Sequence, residues 1–235
     1  MGQTALATGP FGSSIGSRFF VESGVPLIRG SNLNNDARTH LIEDDFVFLC
    51  QAKAAEFRRA EVCAGDLVFT CWGTINQVGL ITKRAQYPAY IISNKQMKLT
   101  PDPKKTNSTF LFYLFSGPDV QRQIVDQTIG SSVPGFNLGR LRALRFCIPG
   151  LLEQEAIAAA LSDADVLITS LERLALKKRD LKQATMQALL TGERRLPRYH
   201  DECVTQRIAE IAYPSSEKNT ATAILPVLNS SSLRA

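Results

Sequence analysis

The pattern of apolar and polar positions changes near residue 150. Before that point, apolar runs of four or five residues alternate with Gly, Pro, Asn and Asp, which is typical of short strands joined by turns. Such short connections favour a mostly β domain with a curled sheet over alternating β-α-β units. The predicted strands are Val25–Arg29, Phe46–Leu49, Leu67–Thr70, Val78–Thr82, Tyr90–Ser93, Gln96–Leu99 and Leu144–Ile148.

A helical segment is predicted over Ser108–Thr128, where apolar residues recur at helical spacing. Gly117-Pro118 divides it into two pieces, because proline suits the first turn of a helix. A glycine-rich loop, Gly130–Asn137, follows the second piece.

One long helix is predicted from Glu153 to Leu190, a stretch without proline or glycine that Gly192 ends. At 1.5 Å per residue it spans about 57 Å, too long to be buried by a small domain. Its apolar stripe therefore needs a partner helix, and because the chain offers no second helix of that length we expect a partner chain or a missing second half. The expected interface residues are Ile157, Leu161, Ala164, Ile168, Leu171, Leu174, Leu181 and Leu189.

These patterns predict an α+β protein. A mostly β domain covers residues 1–150, the helix covers 151–192, and a weakly structured tail covers 193–235. Within that tail, Val204–Tyr213 is a candidate strand.

Composition is close to the globular average, with 44% hydrophobic and 21% charged residues. No apolar window is long enough to span a membrane, and Met1–Pro10 does not resemble a secretory signal. The five cysteines form no C-x-x-C pair and only two histidines are present, so we expect no metal site. An odd number of cysteines without a signal peptide favours a cytoplasmic protein.

The net charge of +5 lies in the first part of the chain. Residues 1–150 contain 16 Lys and Arg against 11 Asp and Glu, whereas residues 151–235 contain 11 of each. This distribution is compatible with an anionic partner of the β domain, but charge alone favours an ordinary basic surface.

Catalytic motifs are missing. The chain contains no Walker P-loop and no dinucleotide fingerprint, and the only acidic cluster, Glu43–Asp45, is typical of a surface turn. A stand-alone nuclease or methyltransferase is therefore disfavoured, and we expect a binding protein without a cofactor.

Several loops carry side chains suited to DNA. Gly9–Ser14 combines glycines with hydroxyls that can donate to a phosphate, and Arg29 and Asn32 are shaped for bidentate contact with guanine and adenine. Each segment is also compatible with an ordinary turn. We expect Ser13, Ser14 and Arg18 to contact the DNA backbone, Arg29, Ser31 and Asn32 to contact base edges or sugar, and Thr74 and Asn76 to lie on a neighbouring loop.

Five stretches together resemble the specificity (S) subunit of a type I restriction–modification system, over residues 9–197. The last of them, which ends in LLTGERRLP, is the most specific. They are GPFGSSI (Gly9–Ile15), GVPLIRGSNL (Gly24–Leu33), GDLVFTCWGTINQVGLI (Gly65–Ile81), GSSVPGFNL (Gly130–Leu138) and the stretch Leu151–Pro197.

The resemblance implies a target recognition domain at about 1–150 and a conserved helical spacer, coiled-coil-like, at about 151–192. In that family each of two recognition domains reads half of a split double-stranded DNA target, and two antiparallel spacers set the gap and dock the methyltransferase (M) subunits. The specificity subunit itself is non-catalytic. Site-specific deoxyribonuclease and adenine methyltransferase activities belong to the restriction (R) and M subunits, which use S-adenosylmethionine, ATP and magnesium.

The chain departs from that pattern. It carries one recognition domain and one spacer, which implies a half-length or truncated form and a possible homodimer through the long helix. The opening strand before GPFGS is expected to be missing, while Arg195–Ala212 resembles the linker and opening strand of a second domain and could complete the first sheet. Asn76 stands where the family commonly has glycine. An alternative is an assembly or modulator protein that acts through the helix and no longer reads DNA.

Overall fold

The computed structural model describes residues 6–129, 134–202 and 204–212. The chain divides into two units at Leu174, and each is described by itself. The strands are β1 Leu6–Thr8, β2 Phe20–Val21, β3 Val25–Ile28, β4 Val47–Leu49, β5 Glu61–Cys63, β6 Leu67–Thr70, β7 Val78–Leu80, β8 Ala89–Ile92 and β9 Gln96–Leu99. The helices are α1 Gln51–Ala55, α2 Ser108–Ser116, α3 Pro118–Asp126, α4 Leu138–Ala143, α5 Leu151–Leu190 and α6 Ile208–Ile211.

The strands form two sheets in the first unit. The four-stranded sheet has the order β1-β9-β6-β7 and is antiparallel throughout. The five-stranded sheet has the order β2-β4-β3-β8-β5, and in it β3 and β8 run parallel. The predicted β-rich domain followed by one long helix, an α+β arrangement, is confirmed.

Strand β6 lies between two hydrophobic clusters. Leu67 and Phe69 belong to the cluster that α2, α3 and α4 share with the four-stranded sheet, whereas Val68 belongs to the cluster of the five-stranded sheet. Successive side chains of a strand point to opposite faces, so burial on both faces requires the continuous apolar run that β6 shows.

The predicted break between two helices is confirmed at the residues expected. Helix α2 ends at Ser116, Gly117 is extended, and Pro118 occupies the first turn of α3. The long helix is also confirmed as one element of 40 residues. Gly192 adopts φ +77°, and the amide of Arg194 donates to the carbonyl of Ala188, which satisfies a terminal carbonyl of α5.

The prediction of a strand over Leu144–Ile148 is wrong. The amide and the carbonyl of Arg145 bond to the side chain of Gln123 on α3, so this backbone is satisfied without a neighbouring strand. Phe146 packs edge-on against Phe115 at 5.4 Å between ring centroids. Residues 144–148 therefore pack against the core without forming a strand. The sequence analysis did not predict the preceding helix, α4.

The opening strand that we expected to be missing is present. Strand β1 directly precedes the GPFGS loop and pairs antiparallel with β9, with Ala7 opposite Lys98. The first sheet therefore has its own opening strand, and Arg195–Ala212 is not required to complete it.

The strand predicted over Val204–Tyr213 is wrong for the described residues 204–212. The side chain of Glu210 accepts from the amide of Arg207 and caps the single helical turn α6. Tyr213 and the rest of the predicted tail lie outside the described residues. Among the described helices, none is long and apolar enough to cross a membrane.

Polar side chains of helix α5, among them Gln154, Asp165 and Glu172, attach it to the β domain in the first unit. The buried amide of Gln154 accepts from the backbone of Asn107 at 2.9 Å and donates to the carbonyl of Pro149 at 2.9 Å. The hydroxyl of Tyr113 donates to Asp165 at 2.7 Å, and Arg38 forms an ion pair with Glu172 at 2.7 Å. The helix is therefore held by the domain from its first turn to Glu172.

His40 makes stability depend on pH. Its ring packs against Phe112 at 4.8 Å, and burial lowers its pKa below the usual 6.5, with Asp165 opposing the shift. The unfolded chain therefore takes up a proton more readily, and stability falls as pH drops through about 6.5. Urea unfolding at pH 7 and pH 5.5 should show this loss, and His40→Gln should reduce it.

The matched control is His200→Gln, because His200 is the other histidine of the chain and is exposed. This variant should keep the full pH dependence. An equal pH dependence in His40→Gln and the unchanged protein would contradict the assignment.

Candidate nucleic-acid interface

Four separate segments of the chain meet around one cleft of about 490 Å³. They are the 3-10 turn after β1, the end of β3, the end of β6 with the loop that follows, and the turn between β8 and β9. We call this the loop cleft. Its lining residues are Gly12, Ile15, Leu27, Arg29, Gly30, Thr70, Trp72, Gly73, Thr74, Ser93, Asn94 and Lys95.

Gly9 brings the first of these segments against the end of β8. A Cβ atom at this position would lie 2.2 Å from the carbonyl oxygens of Ile92 and Ser93, so only glycine fits. The buried side chain of Ile15 anchors the far end of the turn. Ser13 is exposed and Ser14 half-buried on this turn, between the lining residues Gly12 and Ile15.

Arg29 forms part of the wall of the loop cleft. Its side chain is 40% exposed, one Nη donates to the carbonyl of Asp45 at 2.8 Å, and the Asp45 carboxylate lies 3.5 Å away. These contacts fix the guanidinium at the end of β3 and leave part of it open to a ligand. Ser31, two residues further, is exposed.

Asn32 is buried, whereas a side chain that contacts a base edge must be exposed. Its side chain is 1% exposed, Oδ1 accepts from the amide of Arg29, and Nδ2 donates to the carbonyls of Ile42 and Asp44 at 3.0 Å each. No part of this amide is left for a base edge. Asn32 instead ties the 42–44 segment to the backbone of Arg29, so it positions a candidate contact residue without being one.

Thr74 and Asn76 lie on the same loop but face different cavities. Thr74 lines the loop cleft, whereas Asn76 lines a smaller cavity with Asn34 and Gln121. Asn76 adopts φ +76°, in the left-handed region that glycine favours and asparagine tolerates better than most residues. Asparagine can therefore occupy this position without the strain that most other side chains would cause.

Arg18 is exposed and does not line the loop cleft. Its guanidinium lies 4.7 Å from the ring centroid of Phe19, and the ammonium of Lys53 lies 4.5 Å from the same ring. Of the candidates, Arg29 and Thr74 line the loop cleft, whereas Arg18 and Asn76 do not. Ser13, Ser14 and Ser31 do not line it either, but they are sequence neighbours of its lining residues Gly12, Ile15 and Gly30.

Of the residues that line the loop cleft, the candidate list contains Arg29 and Thr74, and among those it missed are Trp72, Asn94 and Lys95. Trp72 is 51% exposed, and Asn94 and Lys95 form the turn between β8 and β9. Two sequence features could have identified them. One is an isolated tryptophan before a glycine at the end of an apolar strand, and the other is a polar Ser-Asn-Lys turn between two strands.

Cys71 lies behind the cleft as a structural residue. Burial raises the pKa of its thiol to about 12, so the thiol is neutral at physiological pH. Its amide donates to the carbonyl of Lys95 at 2.8 Å and links two lining segments. Within the described residues no cluster of His, Cys, Asp and Glu suits a metal ion. The chemistry of the cleft is therefore donation from hydroxyl, amide and cationic groups, which suits phosphate and base edges.

The expected helix interface divides into two parts. Ile157 packs against the core of its own domain, and Leu161 lines an apolar cavity of about 280 Å³ with Tyr113 and Leu114. Further along the helix, large apolar side chains face solvent on the expected stripe. We call Leu161, Ala164, Ile168, Leu171, Leu174, Leu181 and Leu189 the helix seam.

The chain matches one protein family and resembles solved structures. The family model, type I restriction modification DNA specificity domain, matches residues 23–179. A structure described as the basis of complex assembly and conformational transition of the type I R-M system has a TM-score of 0.53 at 16% identity. That alignment covers 78% of this chain and 42% of that chain, and at this identity it shows the fold alone.

A crystal structure of a type I restriction-modification system S subunit from M. genitalium has a TM-score of 0.45 at 15% identity, again over 78% of this chain and 42% of that chain. The chain thus spans about two fifths of the length of both solved structures. The comparison with curated proteins gave no match.

Asn32→Ala should destabilise the protein although it removes no apolar contact. The change leaves the carbonyls of Ile42 and Asp44 without their donor, which costs about 1–3 kcal/mol of unfolding free energy. Urea unfolding measures this loss. Ser31→Ala, at the exposed neighbouring position, is the control and should change stability by less than about 0.5 kcal/mol. Equal stability of the two variants would contradict the positioning role.

Proposed function

The chain belongs to the family of type I restriction-modification DNA specificity domains, and we propose that its β domain binds one half of a split double-stranded DNA target. The observation that carries this proposal is the convergence of four sequence segments on the loop cleft. Segments far apart in the chain supply hydroxyls, an arginine, a lysine and an amide to one concave surface. Such a set can contact phosphates and base edges together.

The roles of the residues follow from their positions. We propose that Ser13, Ser14 and Lys95 contact phosphates, because hydroxyl and cationic groups donate to phosphate oxygens. Arg29 and Ser31 lie at the end of β3, where Arg29 can pair bidentately with guanine. Arg18 lies outside the cleft, so any contact it makes is with more distant backbone.

The long helix is proposed to act as the spacer. At 1.5 Å per residue its 40 residues span about 60 Å, more than one turn of B-DNA at about 34–36 Å. Its exposed seam suits an antiparallel helix from a second copy or from a second half of a longer chain. Two β domains held at the ends of such a pair would read two half-sites at a set distance.

The remaining subunits are proposed to dock on this scaffold. We infer that the chain recruits methyltransferase subunits and, through them, a restriction subunit, which would supply the chemistry. The chain itself is proposed to be non-catalytic.

The first test selects duplexes from a random library with the full chain and measures binding by gel shift at several salt concentrations. The proposal predicts a sequence preference that survives competitor DNA and an affinity that falls as salt rises, because phosphate contacts release counterions. Equal affinity for all duplexes, or none, would contradict DNA reading and favour an assembly protein that acts through the helix.

Arg29→Ala should cost about 1–3 kcal/mol of binding free energy, confined to one base position of the selected duplex. A set of duplexes with single base-pair changes measures this discrimination. Arg122→Ala is the matched control, because Arg122 is exposed on α3 and lies outside the loop cleft. Unchanged affinity for every duplex in the Arg29 variant would contradict its role.

Leu171→Glu should weaken self-association of the chain by more than about tenfold, because it would bury a carboxylate in the proposed helix pair. Light scattering over a range of concentrations measures the effect. Thr169→Glu adds the same charge on the opposite side of the helix and should leave association unchanged. A monomeric parent protein at all concentrations would argue against pairing of two copies.

A further inference from the structure

The position of Trp72 is unusual for a residue of its size. It is the single tryptophan of the chain, it is 51% exposed, and it stands in the wall of the loop cleft directly after β6. Aromatic side chains of this size are normally placed where they bury most of their surface. An indole kept half in solvent in the wall of a cleft therefore points to an apolar surface on the ligand.

The backbone behind Trp72 keeps the ring from moving inward. Gly135 pairs with Trp72 as an antiparallel bridge, and a Cβ at Gly135 would lie 2.6 Å from Cζ3 of the indole. The amide of Phe136 donates to the carbonyl of Cys71, and the amide of Gly73 donates to the carbonyl of Pro134. The residues on both sides of Trp72 are thus fixed to the 134–136 segment, and the space beside the ring is filled by backbone.

The neighbours of Trp72 indicate which ligand its exposed surface meets. Arg29 and Lys95 line the same cleft and can bind phosphates, while Thr74 contributes a hydroxyl. A nucleotide combines an anionic phosphate with a flat base that is apolar on its faces and, in thymine, carries a methyl group. Cations beside a rigid indole match that combination.

We propose that the exposed surface of the Trp72 indole packs against the apolar surface of a nucleobase in bound DNA, and this inference rests on the proposed function. Two sources present that surface. One is the thymine methyl group in the groove of an intact duplex, and the other is the face of a base that has left its stack. In both cases Trp72 contributes affinity and preference, and Gly135 is its positioning residue.

Intrinsic fluorescence tests the contact without a mutation, because the chain contains one tryptophan. The full chain is titrated with the selected duplex, and emission and acrylamide quenching are followed. The inference predicts that emission changes with the same midpoint as the gel shift and that quenching by acrylamide falls at least twofold in the complex. Unchanged emission and unchanged quenching at saturating DNA would overturn it.

Three variants test the energetic role. Trp72→Ala should bind the selected duplex at least about tenfold more weakly, and Trp72→Phe should retain more affinity than Trp72→Ala because a smaller ring remains. Gly135→Ala should also weaken binding, because its Cβ displaces the indole. Urea unfolding checks that each variant is folded, and Phe20→Ala, an exposed aromatic on β2 outside the cleft, is the control. Affinity of a folded Trp72→Ala equal to that of Phe20→Ala would overturn the inference.

Two modified duplexes distinguish the sources. Replacing thymines by uracils removes the methyl groups, and a loss of affinity that disappears in Trp72→Ala identifies the methyl contact. Placing 2-aminopurine at successive positions reports unstacking, and an emission increase that requires Trp72 identifies the base face. If the unchanged protein and Trp72→Ala give the same result with both modified duplexes, the inference is overturned. If the duplex binds but neither the fluorescence of Trp72 nor the affinity of its variants changes, this inference alone is overturned. If no duplex binds at all, the proposed function itself is contradicted.

Discussion

The candidate interface depends on close backbone contacts at the ends of β6, β8 and β9. The amide of Cys71 donates to the carbonyl of Lys95, the amide of Phe136 donates to the carbonyl of Cys71, and Gly9 lies against the carbonyls at the end of β8. Because each of these contacts is between main-chain atoms, exposed side chains of the loop cleft such as Trp72 and Thr74 take no part in them.

The same domain also fixes the first part of the long helix. Gln154 is fully buried and satisfies three backbone groups from the loop before α2 and the turn before α5, so the helix begins at a defined place on the domain. The segment between β3 and β4 reaches both regions, since Asn32 and Asp45 hold Arg29 while Arg38 pairs with Glu172. The loop cleft and the first part of α5 are thus connected by a short stretch of chain.

The elements predicted well are those whose signal is local. The predicted bounds of strand Leu67–Thr70 and the predicted helix break at Gly117-Pro118 agree with the structure residue by residue. Both predictions rest on a few adjacent residues, because burial of a strand on both faces requires a continuous apolar run and proline is typical of the first turn of a helix. Strand β1 has only three residues, too few to show an alternation of apolar and polar positions. It is recognisable only from its pairing with β9. Leu144–Ile148 has the composition of a strand, but the side chain of Gln123 takes the backbone bonds that a strand would need.

In the candidate site, too, the sequence predicts only what depends on adjacent residues. Arg29 and Thr74 could be named from residue type and turn position, and the structure brings them to one cleft. The burial of Asn32 depends on carbonyls at residues 42 and 44, and the rigidity of Trp72 depends on Gly135, so neither could be read from adjacent residues.

Amide hydrogen exchange of the full chain, with and without the selected duplex, tests the central claim most directly. The account predicts that exchange slows together in the segments that form the loop cleft, residues 9–15, 29–32, 71–76 and 93–95. Slowing confined to the helix seam, or unchanged exchange in all four segments while DNA is bound, would contradict it.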